Sequence, residues 1–324
     1  MLSTRKIATV FGGSGFLGRH VVRRLTAAGY IVRIAVRDTE GAKFLRPMGG
    51  IGQVVPLYAP VESEADAARA INGAELVINL AGILAESRKG DFTRIHAEGA
   101  GRVARLSAAA GVTTFIHVSA IGADAASPSA YARSKADGEA AVRIAFPGAV
   151  IIRPSIIFGA DDNFFNRFAS LAVWLSAVPS VFACLPIVHG STKLQPVYVD
   201  DVAAAVLAAR GPAAAGRTYE LGGPEQKTFR ELVAMTLDYT GRRLRTLDLP
   251  VPLARLQAVF LERLPGKLLT SDQISMLARD NIVSPGAPGL AELGITPTAM
   301  ELILPLYLAR YRAAGKGKEA AFQE

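Results

Sequence analysis

Apolar and polar positions alternate between two regimes along this chain. Short runs that are apolar throughout read as strands: IATVF at 7–11, IVRIAVR at 31–37, QVVPLYA at 53–59, ELVINLAG at 75–82, TTFIHVSA at 113–120 and AVIIRPSIIFG at 149–159. Between them lie segments of helical period, at 16–28, 65–71, 92–110 (rich in alanine) and 136–146. Strands apolar on both faces and separated by helices predict an α/β architecture, a doubly wound parallel sheet covered on both sides. After about residue 160 the pattern loosens, with prolines at 179, 186, 196, 212, 224, 250, 252 and 265. It predicts a smaller, mostly helical C-terminal lobe. The expected division is a dinucleotide-sized sheet domain over 1–160, a lobe of helices and sheet extension over 161–314, and a flexible tail, GKGKEAAFQE, over 315–324.

Composition narrows the chemistry. Half of the 324 residues are hydrophobic and 20% are charged, which fits a packed globular protein. The single cysteine, Cys184, excludes an internal disulfide, fits a reducing compartment and reads as inert core. His20, His96, His117 and His189 are scattered without ligand spacing, so no metal site is expected. The net charge of +8 suits a soluble basic protein, or attraction to cofactor phosphates or an anionic membrane surface. No cluster of Lys and Arg is interleaved with aromatics, so nucleic acid is not an expected partner. The apolar run at the N-terminus is too short for a signal peptide and leads into glycines. The stretch 169–188 carries no charge and is long enough to span a bilayer, but Pro179 and Pro186 interrupt it. It reads as a segment lying in or against a membrane or as ordinary core, with a true span the third reading.

The sequence GGSGFLG at 12–18 follows the first strand and opens the first helix. Glycines at 12, 15 and 18 permit a tight turn and a close backbone approach to a pyrophosphate, with the helix N-terminus adding its positive end. This is the fingerprint of a Rossmann-type dinucleotide site, with Gly12, Gly15, Phe16, Leu17, Gly18 and Arg19 at the phosphates. An acidic residue about 20 positions on accepts the ribose hydroxyls of NAD, whereas a basic one suits a 2′-phosphate. Arg37 stands there, with Asp38 next and Arg19 and Arg33 further candidates. The arginine favours NADPH over NAD, and Asp38 keeps NAD open.

YARSK at 131–135 places Tyr131 and Lys135 four residues apart, on one face of a helix. The ammonium can lower the phenol's pKa and hold the cofactor ribose, so that Tyr131 becomes a proton donor or acceptor. With GGSGFLG, NLAG at 79–82, HVSA at 117–120 and PVYVDDVA at 196–203, the chain resembles the extended or atypical branch of the short-chain dehydrogenase/reductase superfamily over about residues 5–235. That resemblance implies a cofactor lined by Leu80, Ala81, Gly82 and Pro154, a catalytic Tyr131 and Lys135, and a serine after the fifth strand that orients the substrate. Departures stand out. Phe11 replaces the usual Thr, no acid follows the third strand, and only Ser119 is available, 12 residues before the tyrosine. Ser119 is then either a substitute catalytic serine or a vestigial, structural hydroxyl closing the strand; the second reading is favoured. Asp200 and Asp201, at the start of an alanine-rich helix, read as caps.

RTYELGGPEQKTFRELV at 217–233, LLTSDQISMLARDNIV at 268–283, GFLGRHVV at 15–22, INLAGIL at 78–84 and TKLQPVYVDDVA at 192–203 resemble a narrower group. This is the Rossmann-type accessory subunit of respiratory complex I (NADH:ubiquinone oxidoreductase) and its bacterial relatives. The resemblance implies a tightly held NADPH with a structural role and docking beside other complex I subunits near the quinone-binding region. It also implies a peripheral position on the cytoplasmic face of the inner membrane, or on the matrix side in a mitochondrion. LARLQAVFLERL at 253–264, with Leu253, Leu256, Val259, Phe260 and Leu264 at helical spacing, and MELILPLYLARYR at 300–312 read as core helices before membrane-binding ones. A free NADPH-dependent reductase or epimerase-like enzyme using Tyr131, Lys135 and Ser119 is the opposing reading, and a redox-sensing regulator a third.

Overall fold

A computed structural model describes residues 6–176, 184–262 and 270–312. Two compact units emerge. The first comprises the chain to Pro154 together with Val199–Leu221 and Val283–Thr296; the second comprises Ser155–Tyr198, Gly222–Ile282 and the chain from Pro297. The second half of the sequence therefore returns twice to the first unit.

The first unit is built on β1 (Ile7–Phe11), α1 (Phe16–Ala27), β2 (Ile31–Val36), β3 (Val54–Tyr58), α2 (Glu64–Ile71), β4 (Leu76–Asn79), α3 (Ala100–Ala109), β5 (Thr114–Val118), α4 (Ala130–Ala145), β6 (Val150–Pro154), α5 (Val199–Ala208) and β7 (Thr218–Leu221). All seven strands are parallel, in the order β7-β6-β5-β4-β1-β2-β3. The strand order reverses direction between β1 and β4, the crevice where open α/β sheets take ligands. Because β-α-β crossovers are right-handed, stepping outward from β1 in opposite directions puts α1 on one face and α2, α3 and α4 on the other; α5, which the chain reaches from β6 only after residues 155–198 of the second unit, joins α1 against that rule. One face carries Phe11, Ala35, Val77, Phe115 and Ile151 against Ala67, Ala100, Val103 and Val142 of α2, α3 and α4. The alternate residues Val10, Ile34, Ile78, Ile116 and Ile152 are buried on the other face. There α1 and α5 lie side by side, tied through Asp200. Its carboxylate accepts from Arg24 (2.7 Å) and Arg23 (2.9 Å) and lies 3.2 Å from His20 Nδ1. Asp200 thus serves a tertiary ion network, where the sequence predicts a cap.

Three boundaries differ from the periodicity. The helix expected at 136–146 begins at Ala130, because Ser129 caps it by accepting from the Ala132 amide at 3.2 Å. The helix expected over 92–110 opens with a wider, π-type turn over Thr93–Gly99 before α3. The run 149–159 is not one strand. It ends at Pro154; Ser155 turns its hydroxyl to Asn281, and Ile157–Phe158 pairs instead with Val197–Tyr198.

The second unit packs helices Phe165–Leu175, Phe229–Tyr239 and Met300–Leu308 around Phe158, Phe165, Leu185, Phe229, Leu232 and Leu304. Short strands pair in twos, Lys193–Leu194 with Lys227–Thr228 and Cys184–Ile187 with Arg245–Asp248. Tyr307 donates to the buried Asp162 carboxylate, which also accepts from the Phe165 amide and so caps its helix. The C-terminal apolar stripes are only partly core. Met300, Leu304 and Leu308 are buried, but Leu302 and Leu306 are 66% and 76% exposed. Among the described side chains of the helix Val251–Leu261, Ala254 and Ala258 are buried, while Leu253 and Leu256 are 53% and 60% exposed. Cys184, expected in the core, is half-buried. Part of the uncharged run (177–183), the side chains of Val259 and Phe260, Leu264 and the tail at 315–324 lie outside the described residues. Among the described residues no helix is long and apolar enough to cross a membrane.

Candidate functional site

The glycine loop is determined by contacts that exclude side chains. Gly12 sits at φ +75°, and a Cβ there would come within 3.0–3.1 Å of the Leu80 and Ala81 backbone at the end of β4. A Cβ on Gly18 would lie 2.4 Å from the Gly12 carbonyl oxygen and 2.6 Å from Gly13, so α1 rests directly on the loop. Gly15 occupies the N-cap of α1 in extended conformation; no side chain caps this helix and no acid lies in its first turn. Leu17 is buried and Phe16 half-buried, edge-on to His20. The first amides of α1, carried by these residues, keep donors for an anion where β1 and β4 diverge.

At the end of β2, Arg37 and Asp38 are both exposed. Asp38 is turned into its own loop, its Oδ1 accepting from the Gly41 amide at 2.9 Å. Arg33 donates through Nη1 to the Ala70 and Asn72 carbonyls at the end of α2 (3.1 and 2.5 Å). Arg19 places its guanidinium 5.8 Å from the centre of the Phe44 ring.

Across the switch point, α4 brings up Tyr131 and Lys135. Tyr131 is half-buried. Lys135 is buried and its ammonium donates to the Val118 carbonyl at 2.9 Å. Burial lowers its pKa from 10.5 to about 8, with Glu139 one turn on pulling the other way. Glu139 itself is held in a bidentate pair with Arg153 (2.8 and 2.7 Å). Ser119 directly follows β5; its amide donates to the Ile152 carbonyl, and its buried Oγ has no hydrogen-bond partner among the described residues. Pro154 closes β6 and accepts from the Ile121 amide.

Buried polar groups that the sequence analysis passed over join these elements. Asn79 accepts from the Ala81 amide through Oδ1, so its Nδ2 faces, and donates to, His117 Nδ1 at 3.2 Å. His117 is consequently an Nε2–H tautomer, and Nε2 is a buried donor with no partner among the described residues. Its pKa is held well below 6.5 by burial, and further by Lys135. His96 accepts from the Ile83 amide at Nε2 (3.0 Å), and its Nδ1 lies 2.9 Å from Ser134 Oγ. Ser134 donates to the Tyr131 carbonyl, so Nδ1 must carry the proton between them. Burial, with Lys135 second, takes the His96 pKa down to about 3, which keeps the ring neutral. Its ring stacks on Phe92 (5.4 Å) and meets Tyr131 edge-on (5.4 Å). His96 was legible only as a polar interruption of an alanine-rich helix. No group of metal-ligating residues occurs among the described residues.

This geometry agrees with the sequence comparisons. The model of the NAD dependent epimerase/dehydratase family matches residues 8–222. The chain belongs to the NAD dependent epimerase/dehydratase family. Within the epimerase/dehydratase family it is 37% identical over 313 residues to "NADH dehydrogenase [ubiquinone] 1 alpha subcomplex subunit 9, mitochondrial" of Rattus norvegicus, covering 94% of this chain and 80% of that protein. The protein of the same name in Arabidopsis thaliana is 34% identical, over 95% of this chain and 79% of that one. Solved epimerase/dehydratase-like folds superpose on it. They include an NADPH-dependent quinone oxidoreductase from Escherichia coli complexed with NADPH (TM-score 0.71, 19% identity, 94% of this chain and 99% of that one). Another is a dTDP-glucose 4,6-dehydratase from Streptomyces venezuelae with NAD bound (TM-score 0.69, 21% identity, 94% and 96%). At these identities they speak to the fold alone.

Proposed function

We propose that this protein is an NADPH-holding accessory subunit of respiratory complex I, with no important turnover of its own, supporting assembly or stability near the quinone region. The observation that carries the reading is the extent of similarity. Identity to the NADH dehydrogenase subunits runs over 94% of the chain, through the second unit, whereas the family model ends at residue 222. The chain would sit peripherally, on the membrane face that bears the quinone-reducing arm: the cytoplasmic face in a bacterium, the matrix face in a mitochondrion. Leu302 and Leu306, exposed, support an apolar contact there.

In this reading the loop Gly12–Gly18 and the first amides of α1 hold the pyrophosphate. The preference for NADPH rests on Arg37, exposed at the end of β2, and on Asp38, whose carboxylate is engaged with Gly41. Arg19 adds positive charge on the same side. Leu80, Ala81 and Gly82 line the cofactor, and Ser119, Tyr131, Lys135 and Pro154 face its nicotinamide half. Lys135 has donated one of three N–H groups and keeps two for ribose hydroxyls. A bound nucleotide would stabilise the fold by mass action.

A stand-alone reductase is the second reading, favoured by one observation, the unpartnered Ser119 Oγ beside an intact Tyr131–Lys135 helix. Native electrophoresis of gently solubilised membranes, with the bands assayed for NADPH, separates the two. Co-migration with NADH-oxidising activity and retained NADPH is expected, and Tyr131→Phe should leave both unchanged. A small soluble species whose substrate turnover disappears in Tyr131→Phe would overturn the accessory-subunit reading. Arg37→Glu should weaken NADPH more than NADH.

A further inference from the structure

The segment Leu80–Ile83 leaves β4 opposite the glycine loop, so its backbone forms one wall of the crevice. It has little regular structure to hold it. Asn79 secures the Ala81 amide from the strand side, and on the far side the Ile83 amide is held by His96. His96 is a bridge with two distinct ends. Nε2 accepts from Ile83, and Nδ1–H reaches Ser134, which passes its own proton to the carbonyl of Tyr131. We propose that His96 is a positioning residue that fixes the cofactor wall Leu80–Ile83 to the helix bearing Tyr131 and Lys135, and so sets dinucleotide affinity. The proposal rests on the nucleotide-binding reading given above.

The surroundings admit little else. The ring is clamped between Phe92 and Tyr131, and a Cβ on Gly82 would lie 3.5 Å from Nε2. A Cβ on Gly138 would fall 2.1 Å from the His96 carbonyl oxygen, so α4 and the turn at 93–99 touch backbone to backbone at this residue. The wide π-type turn, a feature that recurs at functional sites, carries the ring at this junction. A neutral ring with one fixed tautomer is what this double task needs, since an imidazolium has no lone pair for Ile83. The lowered pKa of His96 is consistent with that state across the physiological range.

The test uses the full chain, NADPH fluorescence titration with NADH in parallel, and thermal unfolding without nucleotide. His96→Phe keeps the stacking on Phe92 and the edge contact with Tyr131 but deletes both nitrogens. It should weaken NADPH about tenfold, the size of one to two lost hydrogen bonds, while the nucleotide-free chain, which loses the same two bonds, still melts cooperatively at a lowered temperature. His96→Ala should lose affinity likewise and recover it in added imidazole; His96→Phe should not respond. Should the ring variants fail to fold, Ser134→Ala decides: it removes the acceptor of Nδ1–H and should weaken NADPH about threefold. Wild-type affinity in folded His96→Phe or in Ser134→Ala overturns the proposal. A wild-type chain that binds neither NADPH nor NADH overturns the nucleotide reading beneath it.

Discussion

Lys135 gives a prediction whose sign reverses with pH. The residue is 4% exposed and its ammonium donates a hydrogen bond to the Val118 carbonyl. In the folded chain burial moves its pKa from 10.5 to about 8, a difference equivalent to about 3 kcal/mol. Below pH 8 both folded and unfolded lysine are protonated, and the folded chain carries that full cost. Between about pH 8 and the unfolded value near 10.4 the unfolded state binds more protons, so stability rises with pH there. Lys135→Met removes the cost together with a hydrogen bond of about 1 kcal/mol. Glu139 stays paired with Arg153, and the one group that loses its donor is the Val118 carbonyl, whose loss is the hydrogen bond just counted. The nucleotide-free variant should therefore be more stable than wild type by about 2 kcal/mol at pH 7 and less stable by about 1 kcal/mol above pH 10.5. Urea denaturation followed by far-UV circular dichroism measures this; fluorescence of the single tryptophan, Trp174, would report on the other unit. The same variant should bind NADPH more weakly, a stability gained at the expense of the site. Equal destabilisation at both pH values would refute the reasoning, because the ammonium would then cost nothing to bury.

The remaining predictions are local. Gly18→Ala forces a Cβ to within 2.4 Å of the Gly12 carbonyl oxygen; a destabilisation of about 1–3 kcal/mol and loss of retained nucleotide are expected, by urea titration and by assay of the purified protein. Asp200→Ala unties α5 from Arg23, Arg24 and His20 and should cost about 2 kcal/mol at pH 7. Burial alone would raise the Asp200 pKa, but the bonds from Arg24 and His20 outweigh it and hold the carboxyl below its usual range. Its contribution is thus present at neutral pH and fades as pH falls through that lowered value, so wild type and variant should converge in acid.

Most of the sheet was legible because each signal in it is local. Apolar runs, glycine spacing and the four-residue interval from Tyr131 to Lys135 are all read within a few positions. What escaped depends on distant partners. His96 acquires its task from Ile83 and Ser134, and His117 from Asn79 on the neighbouring strand. The break after Pro154 was invisible because both halves of the run are apolar, although they serve different units. In the helix Val251–Leu261 the periodic leucines suggested an inward stripe, but among its described side chains Leu253 and Leu256 are exposed and the small Ala254 and Ala258 are buried. Tight packing there selects for lack of bulk, which hydrophobicity alone does not reveal.

The way the chain returns to its first unit has a consequence for synthesis. On a ribosome, β6 is made long before its outer neighbour β7, and Glu220 on β7 waits longer still for its backbone bond to Pro288 and for the Ser284 amide that meets its carboxylate. A nascent chain stopped near residue 160 would present β6 as a bare strand edge, an open template for pairing with another copy. The first unit is therefore not a detachable module. It is completed only once residues near 290 have emerged, and fragments meant to isolate it should include Val199–Leu221 and Val283–Thr296.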